Sequence, residues 1–313
     1  MTVLERHAEV DKWLSRYLDQ YMGGSGDKSR RFRYLYFQLA RTLYDIIDRL
    51  CAEFAESDFV PTDFELKIGG DEADIPAYHL DLEGGASLDI YGSVDRVDTY
   101  EKDGTTYIRV VDYKTGGKDF ALSDVLAGLN MQMLIYLFAI GKNGEKRYGL
   151  NKPAGILYYP ARRNPIPQHS RSGPTDEERR DQRKANCGSG LFLLDSNTLT
   201  AMEHDLGQKY IPIKQDKKGN LTGNLITAQN LGSLNRYLDD ILRRMAESLY
   251  SGQISAEPAH GSRYPHTCTY CDYQSVCGYE NDAPRELDDC KNEEAVSRLQ
   301  EWAQQQNDEE AKA

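Results

Sequence analysis

The first apolar pattern along the chain is helical. Val10, Trp13, Leu14, Tyr17, Leu18 and Tyr21 recur every three or four residues, which predicts an amphipathic helix over the first twenty residues. The run MGGSGDKS interrupts that pattern as a flexible connection. A second helix is predicted from about Arg31 to Phe54, with Leu35, Leu39, Leu43, Ile46, Ile47 and Leu50 facing inward. From Asp63 the period shortens to that of strands: FELKIG, YHLDL, SLDIYGSVDRVDTY and TYIRVVDYK. A helix over about Leu122 to Ile140 follows, with Ser123 as its expected N-cap. AGILYYPA and LFLLD read as further core strands, and Thr227 to Tyr250 as a long helix closed by Gly252.

These elements divide the chain into a helical segment (1–60), a core (61–255) carrying a polar surface insertion (162–189), a cysteine-rich segment (256–290) and a charged tail (291–313) expected to fray. Helices interleaved with strands predict an α/β fold, a mixed central sheet flanked by helices, with a helical N-terminal part. At 313 residues the chain can bury a sizeable core. The longest apolar run, Met133 to Ile140, is far short of the roughly 20 residues that span a bilayer. The N-terminus, MTVLERHAEVDKWL, is charged where a signal peptide would be apolar, so the expected location is cytoplasmic and no membrane contact is foreseen. The six cysteines are then better read as metal ligands or buried thiols than as disulfides.

A net charge of -12 argues against a protein that coats nucleic acid through its overall field. It does not exclude one that cuts nucleic acid, because carboxylates for a metal add negative charge. The stretch YGSVDRVDTYEKDGTTYIRVVDYKTG, residues 91–116, bears on that directly. Asp103-Gly104 suits a two-residue type I′ turn, in which both residues take φ > 0. Counting outward from that turn, Lys102 pairs with Thr105, and Asp95 comes to face Asp112. Facing Cβ atoms lie roughly 4.5–5.5 Å apart. Two carboxylates that close repel unless a cation sits between them. Lys114, two residues past Asp112, shares its face through the pleat. Two hard-oxygen ligands with a lysine beside them suit Mg²⁺ and phosphodiester hydrolysis, with Lys114 orienting water or stabilising charge on the phosphate. A one-residue slip would put one carboxylate on the opposite face.

GSVDRVD followed by VVDYKTG, then a helix carrying Gln132 and Tyr136, resembles the RecB-like branch of the PD-(D/E)XK nucleases. The runs SDFVPTDFELKIGG and KDFALSDVLAGLNMQMLIYL extend the resemblance to the C-terminal nuclease domain of AddB-type subunits of bacterial AddAB helicase–nucleases, from about residue 30 to 280. The resemblance implies a Mg²⁺- or Mn²⁺-dependent deoxyribonuclease, exonucleolytic rather than endonucleolytic. It would process single-stranded DNA or duplex ends in double-strand-break repair and recombination, beside an AddA-type partner subunit. Asp95 takes the place of the first motif carboxylate, Asp112 and Lys114 that of the (D/E)XK pair, and Gln132 and Tyr136 that of the adjoining Q-x-x-x-Y helix. Glu65 is a candidate further carboxylate at the metal, set against the plain reading of a surface glutamate.

CTYCDYQSVC places Cys268, Cys271 and Cys277 at C-x₂-C-x₅-C spacing, which either zinc or an iron–sulfur cluster accepts. The family resemblance implies a [4Fe–4S] cluster, completed by an early cysteine ahead of the nuclease core. This chain has no cysteine at that place, so it reads as a C-terminal portion whose cluster is incomplete or absent; Cys51, Cys290 and His266 are the local alternatives, and Cys187 a bystander. Lys28, Arg30, Arg31 and Arg33 form one basic run, and Arg162, Arg163, Arg179, Arg180, Arg183 and Lys184 dot the insertion. Either set can meet phosphates or simply be solvated. No Walker A motif is present, so ATP-driven unwinding has to come from another chain or segment. Two other readings stand beside the helicase-linked nuclease: a stand-alone nuclease of the CRISPR-adaptation type, and a catalytically silent DNA-binding scaffold.

Overall fold

The computed structural model describes residues 1–24, 26, 28–117, 119–162, 173–253, 255–264, 267–277, 279 and 284–312. Its helices are α1 (Val3–Met22), α2 (Arg30–Ala55), α3 (Leu122–Leu126), α4 (Gln132–Asn143), α5 (Glu145–Tyr148), α6 (Asp176–Asn186), α7 (Ser196–Met202), α8 (Ala228–Tyr250), α9 (Gln274–Cys277) and α10 (Asn292–Glu310). Its strands are β1 (Val60–Ile68), β2 (Tyr78–Asp81), β3 (Ser87–Ile90), β4 (Gly92–Lys102), β5 (Thr105–Lys114), β6 (Asn151–Pro160), β7 (Ser189–Leu193), β8 (Lys214–Gln215), β9 (Leu221–Thr222), β10 (Leu225–Ile226), β11 (Ala259–His260) and β12 (Arg285–Glu286). No helix among the described residues is long and apolar enough to cross a membrane.

Six strands form one mixed sheet in the order β1-β4-β5-β6-β7-β10. β4 and β5 are antiparallel, and β5 and β6 run parallel because α3, α4 and α5 cross between them. One face of the sheet packs on α4, α8 and α10 through Val110, Ile156, Leu134, Leu238 and Leu299. The other face packs on α2 and α7 through Val111, Leu157, Ile46 and Leu199. Alternate residues of β5 and β6 therefore belong to different cores, as a central strand buried on both sides requires.

A charged group occupies the second face. Arg96, Asp98, Arg109 and Glu53 are all fully buried. Asp98 receives Arg96 at 2.8 Å and Arg109 at 2.7 Å, and Arg109 also reaches Glu53 at 2.8 Å. Two arginines and two acids cancel in charge, which is the condition for keeping ions out of water. This group fixes α2 to the β4–β5 hairpin.

Three sequence expectations are corrected. The helix foreseen over Leu122 to Ile140 is two helices, because Gly128 (φ 78°) and Asn130 (φ 53°) take left-handed conformations between them. Ser123 is accordingly a buried residue inside α3, and Ala121 stands at the N-cap. Leu35 and Leu39, expected to face inward from α2, are 55% and 50% exposed, because the N-terminal half of that helix projects past the sheet. Residues 292–310, placed in a fraying tail, form α10, whose Ala295 and Leu299 are fully buried in the first core while Trp302 meets Tyr237 of α8 edge-on at 4.9 Å. The polar insertion holds α6, which Thr175 and Glu178 start with a reciprocal capping box.

Candidate active site

The hairpin builds the site. Asp103 (φ 51°) and Gly104 (φ 72°) make the turn, both left-handed as a type I′ turn needs. From it the register runs Lys102 to Thr105, Val97 to Val110 and Arg96 to Val111. The paired register ends at Arg96 and Val111, one residue short of Asp95 and Asp112. Asp95 Oδ2 accepts a 2.8 Å hydrogen bond from the Tyr113 amide, which fixes its carboxylate across the strand gap. Val110 faces the α4 side, so Asp112 and Lys114 share that side by alternation, and Asp95 is tied to the amide of Tyr113 between them.

Asp112 is 9% exposed and Asp95 is half-buried. The Lys114 ammonium lies 2.5 Å from Asp112 Oδ2 as an ion pair, and its side chain stays 32% exposed. That same Oδ2 is out of solvent and accepts no hydrogen bond of good geometry. A buried carboxylate oxygen whose one polar contact is an ammonium keeps lone pairs free and suits a hard cation. Behind it, Tyr158 is paired in register with Asp112 on the parallel strand, and its ring centroid lies 6.0 Å from Lys114 Nζ. Burial first, and then the charge of Asp112, push the Tyr158 phenol up to about 12, so it stays protonated across the working range.

α4 closes one side. Tyr136 is buried and stands against β4 so closely that a Cβ on Gly92 would collide with its hydroxyl. Gln132, one turn earlier and exposed, donates to the Tyr136 hydroxyl at 3.1 Å. Glu65, on β1, is exposed and sits at φ 52°, a backbone conformation that L residues rarely adopt. The pairs Phe64–Arg96 and Leu66–Val94 bracket it, which puts it level with Asp95. The Ser93 hydroxyl donates to its Oε2 at 3.3 Å.

Among the described residues no group of three or more His, Cys, Asp or Glu side chains is gathered as a metal site. The carboxylate pair therefore offers two protein ligands, a set that Mg²⁺ completes with water and phosphate. The cysteines do not fit a cluster as they stand: Cys268 is half-buried, Cys271 and Cys277 are exposed, and the three are not drawn together. Cys51 and Cys290 are half-buried free thiols, and His266 lies outside the described residues. Cys187 is structural: it is buried, its thiol donates to the Gln208 carbonyl at 2.9 Å, and burial pushes its pKa up to about 12.

Sequence reading passed over one connection. Asp124 of α3, only 4% exposed, takes Arg263 at 2.5 Å, the Tyr264 hydroxyl at 2.9 Å and the Asn130 amide at 2.8 Å. This clasp docks the start of the cysteine segment onto the face that carries the carboxylates. Arg263 and Tyr264 lie about 140 residues from Asp124, so no local pattern signals them.

This constellation defines a class. The model of the PD-(D/E)XK nuclease superfamily matches residues 2–278, and the chain belongs to that superfamily. It is also similar to proteins named as the B-type subunit of an ATP-dependent helicase/deoxyribonuclease. The relative from Clostridium botulinum (strain Hall) is 30% identical over 277 residues, covering 87% of this chain and 24% of the relative. That from Thermoanaerobacter sp. (strain X514) is 31% identical over 256 residues, 80% and 22% respectively. That from Clostridioides difficile (strain 630) is 28% identical over 289 residues, 87% and 24%. The chain thus spans about a quarter of the length of these relatives.

Proposed function

We propose that the chain is a divalent-metal-dependent deoxyribonuclease that hydrolyses phosphodiesters at Asp95, Asp112 and Lys114. The observation that carries this reading is the ion pair of Asp112 and Lys114, with Asp95 hydrogen-bonded to the amide of Tyr113 between them. Asp95 and Asp112 would hold Mg²⁺ or Mn²⁺. When bound, the ion polarises the phosphoryl oxygen and makes coordinated water more acidic. Lys114 holds its positive charge at the mouth of the site and stabilises the anion that develops on the phosphate. Tyr158 and Tyr136 wall the site and exclude bulk water, and Gln132 holds the Tyr136 hydroxyl in place. Glu65 lies level with Asp95 and is the candidate for a further carboxylate at the metal.

The names of the relatives support a place as one subunit of an ATP-dependent helicase–deoxyribonuclease; by the family resemblance its partner would be an AddA-type helicase subunit and its task the exonucleolytic processing of double-strand-break ends for recombination. The absence of a Walker A motif in this chain agrees with unwinding supplied from elsewhere. The C-x₂-C-x₅-C spacing supports a metal-thiolate site, [4Fe–4S] over zinc by family resemblance, that gathers Cys268, Cys271 and Cys277 only when the cofactor is loaded. Anaerobic reconstitution should then give broad visible absorption; stoichiometric zinc without it favours the zinc form. The nuclease reading is tested by incubating the protein with linear single- and double-stranded DNA, with Mg²⁺ or with EDTA. Cleavage should require the metal and vanish in Asp112→Asn; metal-independent cleavage or none at all overturns it.

A further inference from the structure

α2 runs opposite to β5 and passes the catalytic end of the sheet. Glu53 meets Arg109 in the middle of β5, whereas Arg49, one turn earlier on the helix, donates to the Pro160 carbonyl at 2.8 Å. Pro160 is the register partner of Lys114, so Arg49 stands level with the active end of the strands. At 1.5 Å per residue, Arg41 lies roughly 12 Å and Arg30 roughly 28 Å beyond that level. No residue of α2 from Arg30 to Leu39 is buried.

This projecting half has an unusual surface for a chain of net charge -12. From Lys28 to Tyr44 there are five cations and no acid. Arg30, Arg33, Tyr34, Phe37 and Arg41 fall within a third of a turn of one helical face, and all are exposed, Tyr34 by 61% and Phe37 by 53%. Two arginines precede and one follows the two aromatics along it, with the Arg41 guanidinium 5.6 Å from the Phe37 ring. Guanidinium groups spaced along a line meet successive phosphates, and every base offers a π-face to an aromatic ring. We infer that this stripe is a binding track for single-stranded nucleic acid leading to or from the carboxylate site. It spans roughly 16 Å along the helix, long enough to meet several successive phosphates of one strand. Charge complementarity selects a polyanion as occupant: a protein surface that covered only Tyr34, Phe37 and their apolar neighbours would leave the arginines unmatched.

The inference rests on the nuclease reading for its direction toward a catalytic site, yet it is measured without catalysis. The whole chain is titrated against fluorescein-labelled oligothymidylate in EDTA, and anisotropy is read at several NaCl concentrations. Arg33→Glu/Arg41→Glu should weaken binding at least tenfold and reduce the salt slope by about 0.7 per arginine. Tyr34→Ala/Phe37→Ala should weaken it by roughly tenfold with the slope kept, because stacking is lost and phosphate contacts are not. Circular dichroism confirms that the exposed substitutions leave the helices formed. If both double variants bind within twofold of the parent, the track is wrong and the face docks a protein. If the parent binds through the stripe but cuts nothing with Mg²⁺, the nuclease reading fails and the track stands. If the parent cuts while stripe variants bind and cut as it does, the reverse holds.

Discussion

Tyr136 fills the space over Gly92 that any side chain at that position of β4 would need, its hydroxyl and ring edge standing where a Cβ would be. Backbone φ at Gly92 is ordinary, so the requirement for glycine is one of room and not of conformation. Gly92→Ala should therefore push α4 away from β4, at a cost of about 1–3 kcal/mol for overpacking. Tyr136→Phe keeps the ring and loses only the hydrogen bond from Gln132. The expected pattern is that Gly92→Ala lowers both thermal stability and cleavage, whereas Tyr136→Phe lowers cleavage with stability nearly kept. Equal loss of both properties in Tyr136→Phe would make the hydroxyl a packing element only.

The second prediction concerns the ions under the opposite face. Arg109 is fully buried between Asp98 and Glu53, and Arg109→Met leaves two acids facing one arginine. Removing one partner of a buried ion group costs about 3–5 kcal/mol. Urea denaturation should show that loss for Arg109→Met. It should be smaller for Glu53→Gln, because burial already raises the Glu53 pKa toward the neutral form. A cost below about 1 kcal/mol for Arg109→Met would mean that the group is hydrated in solution.

What was legible in the chain was local. The turn dipeptide and strict alternation foretold the hairpin register as far as Arg96 and Val111, and the common side of Asp112 and Lys114, before any tertiary contact was considered. The break between α3 and α4 was not legible, since Ser123 looks like an N-cap and only Asp124's partners, Arg263 and Tyr264, show why α3 is held apart from α4. The helical period of Trp13 and Tyr17 was real, yet periodicity does not say what covers a face, and here both remain exposed. Arg96, Asp98 and Arg109 alternate among valines, a period-two signal of inward charge that sequence reading left unused.

Acid should reveal the anchor of β1. Asp63 receives hydrogen bonds from Arg147 and, at 2.6 Å, from the Tyr148 hydroxyl. The Arg147 bond is the main reason its carboxyl lies below the usual carboxylate range, with burial opposing. A lowered folded-state pKa contributes stability that is present above the unfolded value, near ~3.9, and is lost as pH falls through the folded one. Asp63→Asn should thus cost about 1–2 kcal/mol at neutral pH, toward the low end because Arg147 is partly exposed. The gap between variant and parent in thermal melts should narrow below about pH 4. A gap independent of pH would assign the anchor to Tyr148 packing instead.

The last prediction separates binding of the metal from catalysis by using stability. Asp95 accepts a hydrogen bond from the amide that follows Asp112, and the buried Oδ2 of Asp112 meets the Lys114 ammonium without a hydrogen bond of good geometry. Asp112→Asn removes one of two like charges and one ion pair, effects of opposite sign, so the melting temperature in EDTA should shift little. In the parent, Mg²⁺ or Mn²⁺ should raise the melting temperature, because a ligand that binds only the folded form adds RT ln(1 + [L]/Kd). Asp112→Asn should lose most of that rise and, with it, cleavage by about a thousandfold or more, the loss expected when a metal ligand and its charge stabilisation are both removed. Lys114→Gln should keep the metal-dependent rise and lose cleavage, since its ammonium repels the ion and acts on the phosphate. A metal-dependent rise of equal size in parent and Asp112→Asn would place the ion elsewhere and remove Asp112 from its proposed role.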